Sequence, residues 1–596
     1  MQAASASGAS GGPGGNRALK RWGPIIGVLA VVAIGVGIVV ATRNDHSSTT
    51  SASTTTTGST APSTTASSGV TTTAGGATTT EAKSAEVTFP MSFSQAKQLG
   101  LEGTIDWGAR CDTTTGRIKV PDYFAPECFA PFKGDNGGAT TPGVTGTEIT
   151  VVMYQGQSGD PVIAYISDAV HVTDTNAQQF ATTKELFRYF ETYYETYGRK
   201  IKLISYEGTG IATDEVAARA DAAAIAEKYK PFVVLGGPAL TSAFADELAA
   251  RKIMCISCTP GQPADFYTKR DPYVWGLDGS ALQKQTHALE FIEKQLVGKN
   301  AVHAGDAFKN SPRKFGLLYL QSSGASKDLA DGFAAQMKQA GAPLAQVIPY
   351  QLDPSTIQQT ASQVITKLKA AGVTTIVFSG DPVAPRDFTK EATAQQYFPE
   401  WVIANSALVD VTAFGRRYDQ QQWAHAFGVT QGAARTDPIK FGPYALYKWF
   451  TGQAPPADGT IGLLTPNPSL FFAVLQGVGP KLTPTTFRDT LFGAAPTRPG
   501  ITQPYLTYGD KGYWGGVPDY QGVDDATLIW WNPTATGIDE IRKQGTGMYE
   551  FVDMGKRYLP GQWPTTDHLF DPSKSIAMYT TPPPGETPPS YPSPAG

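Results

Sequence analysis

The sequence predicts an α/β architecture in which parallel sheets are covered by helices on both faces. Two observations carry this. Short apolar runs suited to buried strands recur from Thr147 to Ala404, and segments of helical length and periodicity stand between them. Strands alternating with helices of that length specify parallel pairing, because a parallel crossover needs about a dozen residues and usually uses a helix. The first strand is Thr147–Tyr154, "TEITVVMY", and after a loop Asn176–Tyr197 has helical periodicity without Pro or Gly. Strand Lys200–Tyr206, the Ala-rich helix Asp214–Lys228 and strand Pro231–Leu235 follow. Helix Ser242–Arg251, strand Ile253–Ser257, helix Ser280–Gln295 and strand Phe315–Leu320 continue the alternation. Helix Asp328–Ala340, strand Val347–Tyr350, helix Thr356–Ala371, strand Thr374–Ser379, helix Val383–Gln396 and strand Trp401–Ala404 complete it. In such sheets ligands bind at the carboxyl ends of the strands, where the loops gather.

A chain of 596 residues exceeds what one hydrophobic core serves, so two or more packed units are expected. A net charge of −4 and a charged fraction of 17% exclude the basic footprint of a nucleic-acid binder. Residues Gly23–Thr42 run without a charge for the length of a bilayer-spanning helix, behind Arg17, Lys20 and Arg21. The positive flank stays inside, so the rest of the chain is expected outside the cytoplasm; cleavage as a signal peptide after Val39-Val40-Ala41 is the rival. The expected organisation is a cytoplasmic stub (1–22), a transmembrane anchor (23–42), a Ser/Thr-rich linker (43–84) and an extension with a disulfide loop (85–145). A bilobal domain (146–570) and a Pro-rich disordered tail (571–596) complete it.

Several catalytic signatures are absent from the sequence. The histidines at 46, 171, 287, 303, 425 and 568 are scattered without metal-ligand spacing. "GQSG" at Gly156–Gly159 lacks the spacing of a nucleophile elbow, and no Walker loop is present. "GTGIAT", Gly208–Thr213, has Thr213 where a dinucleotide fingerprint needs its third glycine, and reads as a plain turn between strand and helix. No catalytic residue, metal or cofactor is therefore expected.

The four cysteines fall in two pairs. Cys111 and Cys128 bracket a Pro- and Gly-punctuated stretch, and outside the cytoplasm their disulfide closes a small loop worth about 3 kcal/mol. Cys255 and Cys258 precede "TPGQPADFY", which does not continue as the helix a redox dithiol needs. They are left as a local disulfide or as two small buried residues. Between the pairs, Gly236, Gly237, Pro238, Thr241 and Ser242 form a Gly-and-hydroxyl turn into a helix, suited either to an anion or to ordinary capping. Gly380-Asp381-Pro382 offers a comparable turn in the second half.

Together the blocks "TEITVVMYQGQSGD", "VVLGGPALTSAFADELAARKIMCISCTP", "DPYVWGLDGSALQKQTHALEFI", "KFGLLYLQSSGASKDLADGFAAQMKQAGA" and "TTIVFSGDPVAPRDFTKEA" resemble the type I periplasmic solute-binding proteins of the branched-chain amino-acid class, which feed ABC transporters. The resemblance spans about Gly143–Trp531. It implies two Rossmann-like lobes with parallel sheets joined by three crossings. Lobe one would be about 146–276 plus a segment after 405, and lobe two about 280–404 plus part of the C-terminal region. It implies ligand contacts at Thr241, Ser242, Ser257, Cys258 and Thr259 in lobe one, and at Ser323 and Asp381 in lobe two. The family's ligand-packing aromatic falls near Ala325 and its ammonium-balancing acid near Ser406, in "IANSALVD", which leaves Asp381 to take the acid's role. The implied protein is a membrane-tethered, extracytoplasmic binder of a small polar solute, with an ABC permease as partner. The alternatives are a sensing domain that signals through a partner protein and, further off, a cell-envelope enzyme. The aromatic stretch Tyr505–Trp531 reads as strands and turns packing a lobe.

Overall fold

The computed structural model describes residues 86–596 except 239, 260, 322, 323, 405 and 406; of 324 and 325 it describes the backbone alone. The stub, the apolar segment 23–42 and the linker lie outside the described residues.

Lobe one begins with β1 (Glu148–Gln155), whose central residues are fully buried, and α1 (Pro161–Val170), capped by the Asp160 carboxylate. Next come α2 (Asn176–Tyr193), β2 (Lys200–Glu207), α3 (Glu215–Tyr229), β3 (Val233–Leu235), α4 (Ala243–Ala250), β4 (Met254–Ile256) and β5 (Val274–Trp275). The five strands pair in the order β2-β1-β3-β4-β5, all parallel. Parallel pairing gathers every carboxyl end on one edge, and the strand order reverses once, at β1, which opens a crevice there.

Lobe two contains α5 (Ala281–Gln295), β6 (Phe315–Leu320), α6 (Gly324–Gln339), β7 (Gln346–Tyr350), α7 (Ile357–Ala370), β8 (Thr375–Ser379), α8 (Ala384–Ala394), β9 (Glu400–Ile403) and β10 (Ala426–Thr430). The order β10-β9-β8-β6-β7 is parallel. The hairpin β11 (Thr527–Ile538) and β12 (Gln544–Val552), with β13 (Ser575–Ile576), extends the sheet beyond β10 in antiparallel fashion. The second sheet is therefore mixed, which the uniform strand-helix alternation did not reveal. At its base Arg313 and Glu400, both buried, form a two-pronged ion pair, with Thr375 donating to the same carboxylate.

Helices Gly442–Thr451, Pro466–Val478 and Pro484–Gly493 return to lobe one, where Phe450, Phe471, Phe472, Leu475 and Phe487 join the core beneath β1 and β3. The chain thus passes from lobe one to lobe two at 276–280, back after β10, and forward again before β11. The aromatic stretch serves this last passage: Tyr508 and Tyr520 pack in lobe one, and Trp530 and Trp531 in lobe two.

Two expectations are corrected. The segment after β1, read as a loop, contains α1, whose Ile166 and Val170 are buried in the core of lobe two. The tail 571–596, read as disordered, is held by specific bonds. The Trp449 indole donates to the Tyr591 carbonyl, and the Tyr591 hydroxyl donates to Asp112 at 2.8 Å. The buried Glu586 carboxylate accepts from the amides of Ile501 and Thr502. Proline lowers the entropy of such a segment, so a few tyrosine and glutamate anchors suffice to order it.

In the N-terminal extension Cys111 and Cys128 are bonded, with Cα atoms 5.8 Å apart, and both are buried. Cys255 and Cys258 are also bonded to each other. Replacing Cys111 and Cys128 together by Ser should lower the unfolding free energy by about 3 kcal/mol, read from urea unfolding of oxidised protein. An unchanged midpoint would show that this loop does not take part in the cooperative unit.

Candidate functional site

The carboxyl ends of β3 and β4 lie side by side, since Leu235 pairs with Ile256 and the Gly236 amide donates to the Ile256 carbonyl. Gly237 is required there: a Cβ would stand 2.5 Å from the Cys258 carbonyl oxygen. This close approach joins the Gly-and-hydroxyl turn to the Ser257–Thr259 loop, so both stretches singled out in the sequence form one surface. On the turn, the Thr241 hydroxyl accepts from the Ala243 amide at 3.1 Å, while Ser242 begins α4 without capping it. Both side chains are buried, at 5% and 7% exposure.

Ser257 is the unusual member. It has a left-handed backbone, φ 56°, a conformation that costs a non-glycine residue of order 1–3 kcal/mol. Its hydroxyl is buried without a hydrogen-bond partner among the described residues. Cys258 is fully enclosed with its sulfur committed to Cys255, so its side chain is not a ligand group. Thr259 is also buried; its hydroxyl accepts from Gln262 and its carbonyl from Tyr267.

In lobe two, Asp381 has a structural assignment that the sequence did not suggest. One carboxylate oxygen accepts the amides of Val383 and Ala384 at the start of α8, and the other accepts the Tyr350 hydroxyl at 2.6 Å. Burial holds this carboxyl above its usual range, against the pull of those bonds. Fully enclosed and saturated, it does not offer a counter-charge to a ligand, contrary to the role given to it above. An acid that sequence reasoning passed over is Asp410, the last residue of the quoted "IANSALVD". It accepts from Thr430 at the end of β10, and Lys284 and Asp278 are its charged neighbours. Burial raises its carboxyl too. Ser323 and Ser406 lie outside the described residues, and nothing of Ala325 beyond its backbone is described.

Helix α1 bridges the two lobes beside these loops. Ile163 packs on Ala212 and Leu240 of lobe one, and Leu240 also meets the lobe-two core. Across the gap the Arg386 guanidinium bonds the Tyr165 hydroxyl, and Lys543 donates to the Val170 and His171 carbonyls at the helix end. Burying Ile166 and Val170 contributes about 1.5–3 kcal/mol each to this contact.

At the hinge, the Gly276 amide donates to the Tyr520 carbonyl and the Gly276 carbonyl accepts from Tyr508. The Gly279 amide donates to Gln431, and Gln283 donates to Asp519. Asp519 and Asp524 are neighbouring buried carboxyls. Asp524 accepts from Thr507 and from the Trp514 indole. Burial raises both acids, and their mutual proximity adds to the rise for Asp519.

Residues 174–423 match the model of the periplasmic binding protein family. This match agrees with the resemblance read from the sequence. No curated protein sequence matches the chain. Solved structures similar to it include the leucine-, isoleucine-, valine-, threonine- and alanine-binding protein of Brucella ovis in a closed conformation. It is 15% identical over 73% of this chain and 99% of that one, with a TM-score of 0.49. A solute-binding protein of an ABC transporter from Rhodopseudomonas palustris HaA2, in complex with p-hydroxybenzoic acid, is 11% identical over 70% and 98%, with a TM-score of 0.47. A fatty acid ABC transporter substrate-binding protein from Thermomonospora curvata is 13% identical over 72% and 97%, with a TM-score of 0.46.

Two predictions follow from this geometry. Ser257→Ala removes a buried hydroxyl that has no partner among the described residues, so the unfolding free energy should rise by about 1–3 kcal/mol. A loss above about 1 kcal/mol would mean that the hydroxyl is satisfied internally. The hinge acids set a pH dependence. Because their pKa values are raised on folding, the native state holds protons that the unfolded chain has released, and stability falls as pH rises above about 4. Asp524→Asn should flatten that fall in urea unfolding measured from pH 4 to 7.5, and an identical slope in parent and variant would refute the assignment.

Proposed function

We propose that this protein is an extracytoplasmic solute-binding protein, tethered by the apolar segment 23–42, which captures a small polar ligand by closure of its lobes and presents it to an ABC-type permease. The ligand class is an amino acid, amide or carboxylate. The observation that carries this reading is the buried, unpartnered Ser257 hydroxyl, set on a strained backbone beside the Thr241 and Ser242 turn, where the strand ends of lobe one approach lobe two. A buried hydroxyl without a partner costs about 1–3 kcal/mol, which a ligand's hydrogen bond recovers on binding. The family match over 174–423 supports the same reading. Asp410, rather than Asp381, is the acid available to an ammonium group.

Closure is then the equilibrium that ligand shifts. The lobes meet through α1, so ligand adds contacts to an arrangement the protein itself makes. A thermal-shift screen of the secreted domain against amino acids, amides and short carboxylates tests the proposal. A ligand at 100 times its Kd should stabilise the protein by about 2.7 kcal/mol. For any hit, Ser257→Ala and Thr241→Ala should weaken affinity about tenfold or more, the worth of one hydrogen bond to a charged group. Unchanged affinity in both variants would move the site elsewhere. Membrane-fraction recovery of full-length protein, against release on deleting residues 23–42, tests the tether.

A further inference from the structure

We propose that the C-terminal segment from Ser575 to Gly596 is a fourth passage between the lobes, a stiff strap that restrains their opening. The restraint acts on the closure invoked in the solute-binding reading above, but it does not depend on what is bound. The start of the strap belongs to lobe two. Ile576 and Ser575 pair with Phe551 and Val552 at the end of β12, and the Tyr579 ring packs on the lobe-two core. The Tyr579 amide donates to the Arg435 carbonyl at 2.7 Å, its carbonyl accepts the Asp437 amide at 2.9 Å, and its hydroxyl donates to the Met554 carbonyl.

Its end belongs to lobe one. The Tyr591 carbonyl accepts the Trp449 indole, the Ser593 hydroxyl donates to the Trp449 carbonyl at 2.6 Å, and Trp449 packs on the lobe-one core. The Tyr591 hydroxyl reaches Asp112 of the extension, next to the buried Cys111. Between the two ends, the Glu586 carboxylate accepts the amides of Ile501 and Thr502 and the Thr502 hydroxyl, on the segment that leads into the third passage. The strap sets out beside the second passage and in the same direction, since Thr436 and Tyr579 form a parallel bridge. It is thus fastened to both lobes and to the chain that joins them.

Composition makes the link stiff. Pro582, Pro583, Pro584, Pro588 and Pro589 lie between Tyr579 and Tyr591. Each ring fixes its own φ, and proline-rich chain behaves as a semi-rigid spacer rather than a coil. Glu586 and Tyr591 are five residues apart, a reach of at most about 17 Å when fully extended, so these two anchors stay within that distance whatever the lobes do. A lobe that turns about the hinge must therefore break one of the attachments or bend proline-rich chain, and both oppose opening.

The test is double electron-electron resonance on protein without added ligand, with nitroxide labels at Val216→Cys and Gln359→Cys. Both positions are exposed, on α3 and α7, which follow the edge strands β2 and β7 at the ends of the two sheets remote from the hinge. The native cysteines are bonded in pairs, so the introduced thiols take the label. A Gly-Ser insert of about eight residues between Thr587 and Pro588, with roughly 15 Å of mean reach, keeps every anchor and gives the strap slack. It should add a population at longer distance that the parent lacks. Tyr591→Phe with Ser593→Ala loosens the lobe-one end, should have the same effect, and is the second variant should the insert unfold; circular dichroism and the Tm report which of them folds. A distance distribution that superimposes on the parent's, in the folded insert or, if that unfolds, in the folded double variant, overturns the proposal whatever the change in Tm. No ligand enters the measurement, so failure of the solute-binding reading, seen in the thermal-shift screen, is told apart from failure of the strap.

Discussion

The arrangement of this protein depends on how closely the chain passes through its hinge at Gly276. Its amide and carbonyl are both bonded to the third passage, at Tyr520 and Tyr508. A Cβ there would stand 2.0 Å from Gln521 Oε1. The first and third passages lie against each other there, and the second joins them where Gln431 bonds both the Gly279 amide and the Val523 carbonyl. With the passages so close, the lobes are kept adjacent on one side, and the carboxyl ends of the parallel strands of both sheets are turned toward the space between them. Everything proposed about ligand binding follows from that orientation.

The lobes also meet directly across that space. Helix α1 leaves lobe one between β1 and α2 and buries Ile166 and Val170 in lobe two, so the lobes are joined by apolar contact in addition to their hinge. Opening exposes that surface, at a cost comparable to the free energy of a weak ligand. On the solute-binding reading proposed above, differences in affinity for the open and closed states, rather than contact with one lobe, would set the response to solute.

Lobe one is further held from outside. The disulfide-closed N-terminal extension packs Ile118, Val120 and Ala125 into its core, and the C-terminal tail returns to the same extension through Tyr591 and Asp112. Both ends of the described chain thus clasp one lobe. The other lobe remains the simpler body, closed at its far edge by the hairpin of β11 and β12.

The sequence by itself determined the class of fold, because the period of apolar residues states whether a segment is strand or helix, and their alternation forces parallel pairing. It also located the Gly236–Ser242 turn and the Ser257–Thr259 loop, since glycine and hydroxyl residues after a strand are local signals. Tertiary structure decided what local signals do not encode. The part played by Asp381 turned on Tyr350, distant in sequence, whose hydroxyl together with the α8 amides saturates a carboxylate that otherwise reads as a ligand group. The tail was read as disordered because composition alone does not show that Trp449 and Asp112 lie where Tyr591 can reach both. Helix α1 is joined to lobe two through Ile166 and Val170 while Ile163 stays with lobe one, a division that no local pattern encodes.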